Sequence, residues 1–178
     1  MTDRSIQTLI KRANGGDSDA CFQLYQEYKT GAHVGMDETA ALRWLEKAID
    51  LDHPTAQLIM CLSYLNAGRP KDAIAYLNLA SDNGNADAQN ILGQLYFGNV
   101  CDVDAVPRDT DKALALLNES ARNGNPFAQL TLGKCYMIGD GVRRDPFLSR
   151  LWLEKAAEHN DEARMLLDEA LVCRTPLN

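Results

Sequence analysis

The chain has 178 residues, of which 46% are hydrophobic, and carries a formal net charge of −7 at pH 7. This length fits one compact domain or one short repeat array, and the negative charge argues against a general binder of nucleic acid or anionic membranes. No apolar run approaches the roughly 20 residues of a transmembrane helix. The first residues also lack the apolar stretch of a secretory signal, so we expect a cytoplasmic protein.

The five cysteines favour the same compartment. They are odd in number, include no CxxC pair and do not recur at equivalent repeat positions: Cys21, Cys61, Cys101, Cys135 and Cys173. A disulfide framework or a zinc site would need closely spaced or repeat-matched pairs. We therefore expect buried thiols, with no metal and no cofactor.

The dominant pattern is a recurring phrase of an alanine, a large apolar residue four positions later, and a tyrosine four further on. Complete copies begin at Ala20, Ala56, Ala88 and Ala128, and an incomplete copy begins at Ala163, so the anchors are 36, 32, 40 and 35 residues apart. A period in this range predicts a solenoid of helical pairs. Such arrays present extended surfaces, which points away from catalysis.

The predicted elements follow this repeat along the chain. Residues 1–16 form an N-terminal capping helix, since apolar residues recur there at helical spacing up to Gly15 and Gly16. Four repeats of a helix A and a helix B follow over 17–53, 54–85, 86–125 and 126–160, and a C-terminal capping helix and tail occupy 161–178. We expect an all-α, right-handed α/α superhelical solenoid of about four helix-turn-helix repeats, with ten helices in a single domain, 1–178.

Helix boundaries carry chemical signals. Asp37, Asp109 and Asp145 each precede a helix B, and we interpret them as N-caps rather than metal ligands. Asn125 precedes Pro126 in the same way. Glycines that follow a helix B are expected at the left-handed position past its end, as Gly84 and Gly124 are.

No catalytic constellation is visible in the sequence, and we expect no enzyme. The three histidines fall in separate parts of the chain: His33, His53 and His159. The variable loop of the third repeat is acidic and contains Asn99, Cys101, Asp102 and Asp104, but it lacks the central glycine and distal glutamate of an EF-hand loop. A metal-dependent switch or enzyme centred on this loop remains an alternative.

Helix A of the third and fourth repeats contains Leu92-Gly93 and Leu132-Gly133, and the A–B loop of the fourth reads Gly139-Asp-Gly-Val-Arg-Arg-Asp145. These phrases resemble the Sel-one-like repeat family, the longer cousins of tetratricopeptide repeats, over about residues 5 to 173. The resemblance implies a non-enzymatic protein-interaction module, an adaptor or regulator, in a family that is often bacterial.

Two departures from the family phrase stand out. The glycine of helix A is replaced by Tyr25 in the first repeat and by Cys61 in the second. Because glycine lets a neighbouring helix approach closely, those junctions should be wider or differently packed. The A–B loop is also four residues shorter in the second repeat, and four longer in the third, than in the other two.

In tetratricopeptide-like arrays the A helices line a concave groove, and the resemblance places twelve partner-binding side chains there. They are Phe22, Gln26, Leu58, Leu62, Leu65, Asn90, Gln94, Phe97, Leu130, Lys134, Met137 and Ile138. The same count adds Lys29, Thr30 and Asn66. Burial by adjacent A helices is the competing interpretation of the apolar ones.

The expected function is to hold a protein partner in this groove as an adaptor, scaffold or regulator, without binding nucleic acid or membrane. An inhibitor or immunity-type protein that neutralises a basic toxin or effector surface is the alternative, in line with the acidic charge. A module that stacks end to end is a third possibility. The polar residues of both capping helices argue against stacking and favour a monomer.

Overall fold

The computed structural model describes residues 3–98 and 107–172, and within these ranges the chain forms ten α-helices and no strand. In chain order they are α1 Asp3–Asn14, α2 Ser18–Thr30, α3 Glu38–Asp50, α4 Pro54–Asn66, α5 Pro70–Asp82, α6 Ala86–Phe97, α7 Thr110–Arg122, α8 Pro126–Ile138, α9 Pro146–Ala156 and α10 Asp161–Val172. The predicted all-α helical-repeat fold with ten helices is confirmed. None of the described helices combines the length and the apolar character needed to cross a bilayer.

The helices form two compact units. Unit 1 covers residues 1–85 and contains α1 to α5, and unit 2 covers residues 86–178 and contains α6 to α10. The most extensive packing joins the A and B helices of one repeat, α2 with α3 and α4 with α5 in unit 1, and α6 with α7 and α8 with α9 in unit 2. The repeat phrase therefore encodes a helical pair as the structural element.

The core of unit 1 is built from small and branched apolar side chains. Ala20 and Leu24 of α2 and Ala48 of α3 are completely buried. Helix α1 closes this core because Leu9 and Ala13 pack in the same cluster. Alanines on facing helices permit close approach of the backbones, so the stripe of each helix removes its apolar surface from water.

Two clusters of buried residues lie among the described residues of unit 2. One joins α6, α7 and α8 and includes Phe97, Leu117 and Leu132. The other lies where α10 covers α8 and α9, with Leu130 and Ala163 among its members.

The predicted helix caps are confirmed. The Oδ1 atoms of Asp37, Asp109 and Asp145 accept backbone N–H bonds at 2.9–3.0 Å from the first turn of the helix that follows. Asn125 caps α8 in the same way. His53 is a further cap, because its Nδ1 accepts a bond from the Ala56 N–H at 3.2 Å. These bonds satisfy donors that the first helical turn leaves without a backbone partner.

The glycine positions also agree with expectation. Gly84 and Gly124 follow α5 and α7 with φ of 84° and 87°. A left-handed residue at this point ends the helix at little steric cost when it has no Cβ.

Candidate functional site

A cleft of about 490 Å³ opens in unit 1 among α2, α3, α4 and the loop that precedes α3. It is lined by Tyr25, Lys29, Met36, Glu38, Ala41, Leu42, Leu45, Ile59, Met60 and Ser63. Most of these side chains are apolar, while Lys29 and Glu38 contribute one charge of each sign. A volume of this size with a few polar groups is typical of a binding cleft.

Tyr25 forms one wall of the cleft from a position that is glycine in unit 2. A Cβ built on Gly93 would lie 2.8 Å from Leu117 Cγ, so the predicted close approach at the helix-A glycine is confirmed there. The first repeat has a buried tyrosine ring at this point, 5% exposed. The same tyrosine holds Lys29, whose Nζ donates a 2.7 Å hydrogen bond to Tyr25 Oη.

In unit 1, the predicted partner surface separates into exposed and buried residues. Leu62 and Leu65 of α4 are each 48% exposed, and Gln26 of α2 is exposed too. Leu58 is buried. Phe22 is half-buried and stacks on His53, with 4.4 Å between ring centroids.

The apolar members in unit 2 differ in the same way. Ile138 at the end of α8 is 69% exposed, and Met137 is half-buried. Phe97 and Leu130 belong to the two cores and expose 4% and 6% of their surface. Phe97 and Leu130 are thus packing residues, and only Ile138 and Met137 offer apolar surface in this unit's share of the predicted set.

The polar members in unit 2 have partners within the chain. Gln94 Nε2 donates to Asn90 Oδ1 at 3.1 Å, and Asn90 itself is buried. Lys134 forms an ion pair with Glu162 of α10. A partner that used these side chains would therefore have to replace contacts that already exist.

The predicted variable loop with Asn99, Cys101, Asp102 and Asp104 lies outside the described residues. Within residues 3–98 and 107–172, no group of three or more His, Cys, Asp or Glu side chains is arranged to hold a metal ion. His33 pairs with Glu27 across 2.8 Å at the surface.

The described cysteines are buried thiols. Burial raises the pKa of Cys21 and Cys61, and burial together with the nearby Asp140 carboxylate raises that of Cys135 to about 11. A thiol that stays protonated at neutral pH is a poor nucleophile. Their role is therefore in packing.

Sequence reasoning missed most of the cleft. Lys29 is the one lining residue that it placed on the binding surface; the others lie on α3, on its preceding loop, or on other faces of α2 and α4. Two signals for the cleft were nevertheless present in the sequence. Tyr25 replaces the family glycine at its wall, and the loop after α4 is trimmed.

Comparison with known proteins identifies the repeats. The family model described as Sel1 repeat matches residues 18–53, 56–85, 86–125 and 126–161. No curated protein matches the chain. Among solved structures, a Sel1 repeat protein from Oxalobacter formigenes is 30% identical with a TM-score of 0.79, and the match covers 96% of this chain and 49% of that one.

Two further structures are similar. A protective antigen with an SLR fold from uropathogenic Escherichia coli is 27% identical with a TM-score of 0.67, covering 89% of this chain and 34% of that one. An immunity protein from Pseudomonas aeruginosa is 26% identical with a TM-score of 0.58, covering 90% and 59%. The chain thus spans about half the length of the first relative and a third of the second. Because four family matches account for most of its residues, the chain belongs to the Sel1 repeat family.

Proposed function

We propose that the chain is a non-enzymatic adaptor or regulator that binds a protein partner through exposed side chains of its A helices. Sel1 repeats form a family of protein-interaction modules, and their fold is in general a non-catalytic scaffold. The proposal extends this family property to a specific surface of this chain.

The exposed pair Leu62 and Leu65 on α4 carries the proposal. The two residues are three positions apart, so they lie on the same face of the helix, and each exposes 48% of its surface. The exposed part of each leucine contributes nothing to folding, whereas a partner that covers it removes apolar area from solvent. Gln26 of α2, which is also exposed, supplies a polar contact within the same unit.

A cytoplasmic, monomeric protein is part of the proposal. Cys21, Cys61 and Cys135 are free thiols in the structure. Unpaired buried cysteines suit a reducing compartment, where disulfides are rare.

Paired charge substitutions test the surface. Leu62→Glu/Leu65→Glu places two carboxylates on the proposed face and should weaken partner binding by about tenfold or more, since burying an unpaired charge is costly. Leu79→Glu is the matched control, because Leu79 lies on helix B α5 and is 45% exposed. Quantitative capture from native lysate compares the three proteins. Retention of the same partners at the same levels by the double variant would contradict the proposal.

A second candidate is an immunity-type inhibitor that covers a basic toxin or effector surface. Its support is the net charge of −7, together with the similarity to the Pseudomonas aeruginosa immunity protein. The salt dependence of affinity for a captured partner discriminates the two. Electrostatic capture should weaken steeply between about 50 and 500 mM salt, whereas binding to the leucine pair should change little.

A further inference from the structure

The cleft of unit 1 has a counterpart in unit 2 that is filled by the chain itself. Phe97, the last residue of α6, packs into the core between α6, α7 and α8. The α8–α9 loop then covers it. A Cβ built on Gly141 of that loop would lie 2.6 Å from Thr110 Cγ2, 3.3 Å from Leu114 Cδ1 and 3.6 Å from Phe97 Cε1, and Val142 packs on the same cluster.

The two sites are built from the same repeat positions. Counted from the anchor alanines, Lys29 corresponds to Phe97. Counted from the helix-B N-caps Asp37 and Asp109, Glu38 corresponds to Thr110 and Leu42 to Leu114. All three residues of the first set line the unit 1 cleft, and all three of the second set meet the covering loop. The cleft therefore lies where unit 2 packs the aromatic ring of Phe97 and the α8–α9 loop.

Two sequence changes leave this site open in unit 1. Lysine replaces the aromatic residue, and the Lys29 side chain is exposed with its ammonium on Tyr25 Oη rather than packed among the apolar residues. The covering loop is reduced to three residues, 67–69, between α4 and α5, whereas seven residues, 139–145, join α8 and α9. The unit thus lacks both the ring and the cover that close the equivalent site.

We propose that this cleft binds an aromatic side chain of the protein partner, with a carboxylate next to that side chain facing Lys29. The proposal rests on the proposed function, because it names the partner's chemistry. The aromatic ring follows from unit 2, where a phenylalanine ring fills the equivalent space. The carboxylate follows from charge, since Lys29 makes no ion pair with any residue that the structure describes.

N-Acetyl-L-phenylalanine is a probe that combines a ring with an adjacent carboxylate. The chain has five methionines, of which Met36 and Met60 line the cleft. With 13C-labelled methionine methyl groups, titration should shift the Met36 and Met60 signals saturably, while those of Met137 and Met165 stay in place. N-Acetyl-L-phenylalanine amide should bind about threefold more weakly, as expected for loss of one exposed ion pair, and N-acetylalanine should not bind.

Two closures of the cleft serve as independent controls. Lys29→Phe restores the residue of unit 2 and should reduce probe binding by about tenfold or more. Replacement of residues 67–69 by the sequence Gly-Asp-Gly-Val-Arg-Arg-Asp restores the cover and should act in the same direction. The graft matches at its ends, because Arg69 N donates to Tyr64 O and Asp145 N to Tyr136 O, both at 2.9 Å. Lys11→Phe, at an exposed position of α1, is the matched substitution that should leave binding unchanged.

Equal shifts at all methionines, or undiminished binding by both closed variants, would overturn the proposal. Shifts of Met36 and Met60 that depend on protein concentration without probe would mean that a second copy fills the cleft, which also overturns it. Such results leave the proposed function standing if Leu62→Glu/Leu65→Glu still weakens partner capture, so the two failures are distinguishable.

Discussion

Leu153 packs so closely on Gly133 that a Cβ built on the glycine would lie 2.7 Å from the leucine Cγ and Cδ2 atoms. Ser149, one turn earlier on α9, donates a 2.8 Å hydrogen bond from Oγ to the Gly133 carbonyl. Glycine in helix A and the serine–leucine pair in helix B therefore form one contact between the two helices of a repeat. Gly93 and Leu117 repeat the close approach in α6 and α7.

Gly133→Ala should destabilise the protein. Alanine favours the helix by up to about 1 kcal/mol, but overpacking against Leu153 typically costs about 1–3 kcal/mol. We expect a net loss of about 1 kcal/mol in the free energy of unfolding, measured by urea denaturation. Gly35→Ala is the control because a Cβ there meets nothing within 4 Å. An increase in stability for Gly133→Ala would show that the contact is not tight.

His53 should make stability depend on pH. Burial lowers the pKa of His53 and outweighs the opposing effect of the Asp19 carboxylate, which lies 3.4 Å from Nε2. The unfolded chain therefore binds more protons than the folded one below the ordinary value of 6.5. The stability that neutral His53 contributes is complete above pH 6.5 and is lost as the pH falls below it towards the folded-state pKa.

Protonation would also remove the cap, since His53 Nδ1 accepts the Ala56 N–H bond. Asparagine caps α8 at the equivalent position, Asn125, so His53→Asn should keep the cap without the titration. Urea denaturation at pH 7.5 and 5.5 should show a smaller loss of stability for the variant than for the wild type. An identical loss in both proteins would exclude His53 as the source.

Cys135 should resist alkylation in the folded protein. Its pKa of about 11 leaves roughly a thousandth of the thiol ionised at pH 8, and the thiolate is the reactive form. Iodoacetamide at pH 8, followed by peptide mass spectrometry, should modify Cys135 much faster in denaturant than in buffer. Equal rates under the two conditions would contradict the buried position.

The helix boundaries that recur from repeat to repeat could be predicted from the sequence. N-caps such as Asp145 and C-terminal glycines such as Gly124 were readable because each solves a local backbone problem within a few residues. Whether an individual side chain of the proposed surface is buried or exposed could not be predicted. Phe97 and Ile138 were both placed on the partner surface, yet the first is a core residue and the second is exposed, because burial depends on which loop returns over the helix end.

The cleft was missed for the same physical reason. It arises from two sequence changes that are far apart in the chain. Lysine stands at position 29 in place of an aromatic residue, and the loop after Asn66 is shortened. The repeat comparison located the short loop, and Tyr25 marked the altered junction, but only the packing of Phe97 beneath Gly141 shows what such a loop normally covers.

A double-mutant cycle between Lys29→Phe and the seven-residue loop graft at 67–69 tests most directly whether the cleft is the open form of the site that Phe97 and the α8–α9 loop close in unit 2. Unfolding of unit 1 is followed by Trp44 fluorescence in urea, in a Trp152→Phe background that leaves Trp44 as the one tryptophan. If the ring and the loop pack together as Phe97 and Gly141 do, the combined variant should be more stable than the sum of the single changes by about 1 kcal/mol. Zero or unfavourable coupling would contradict the conclusion that the cleft is the open form of the repeat's own packing site.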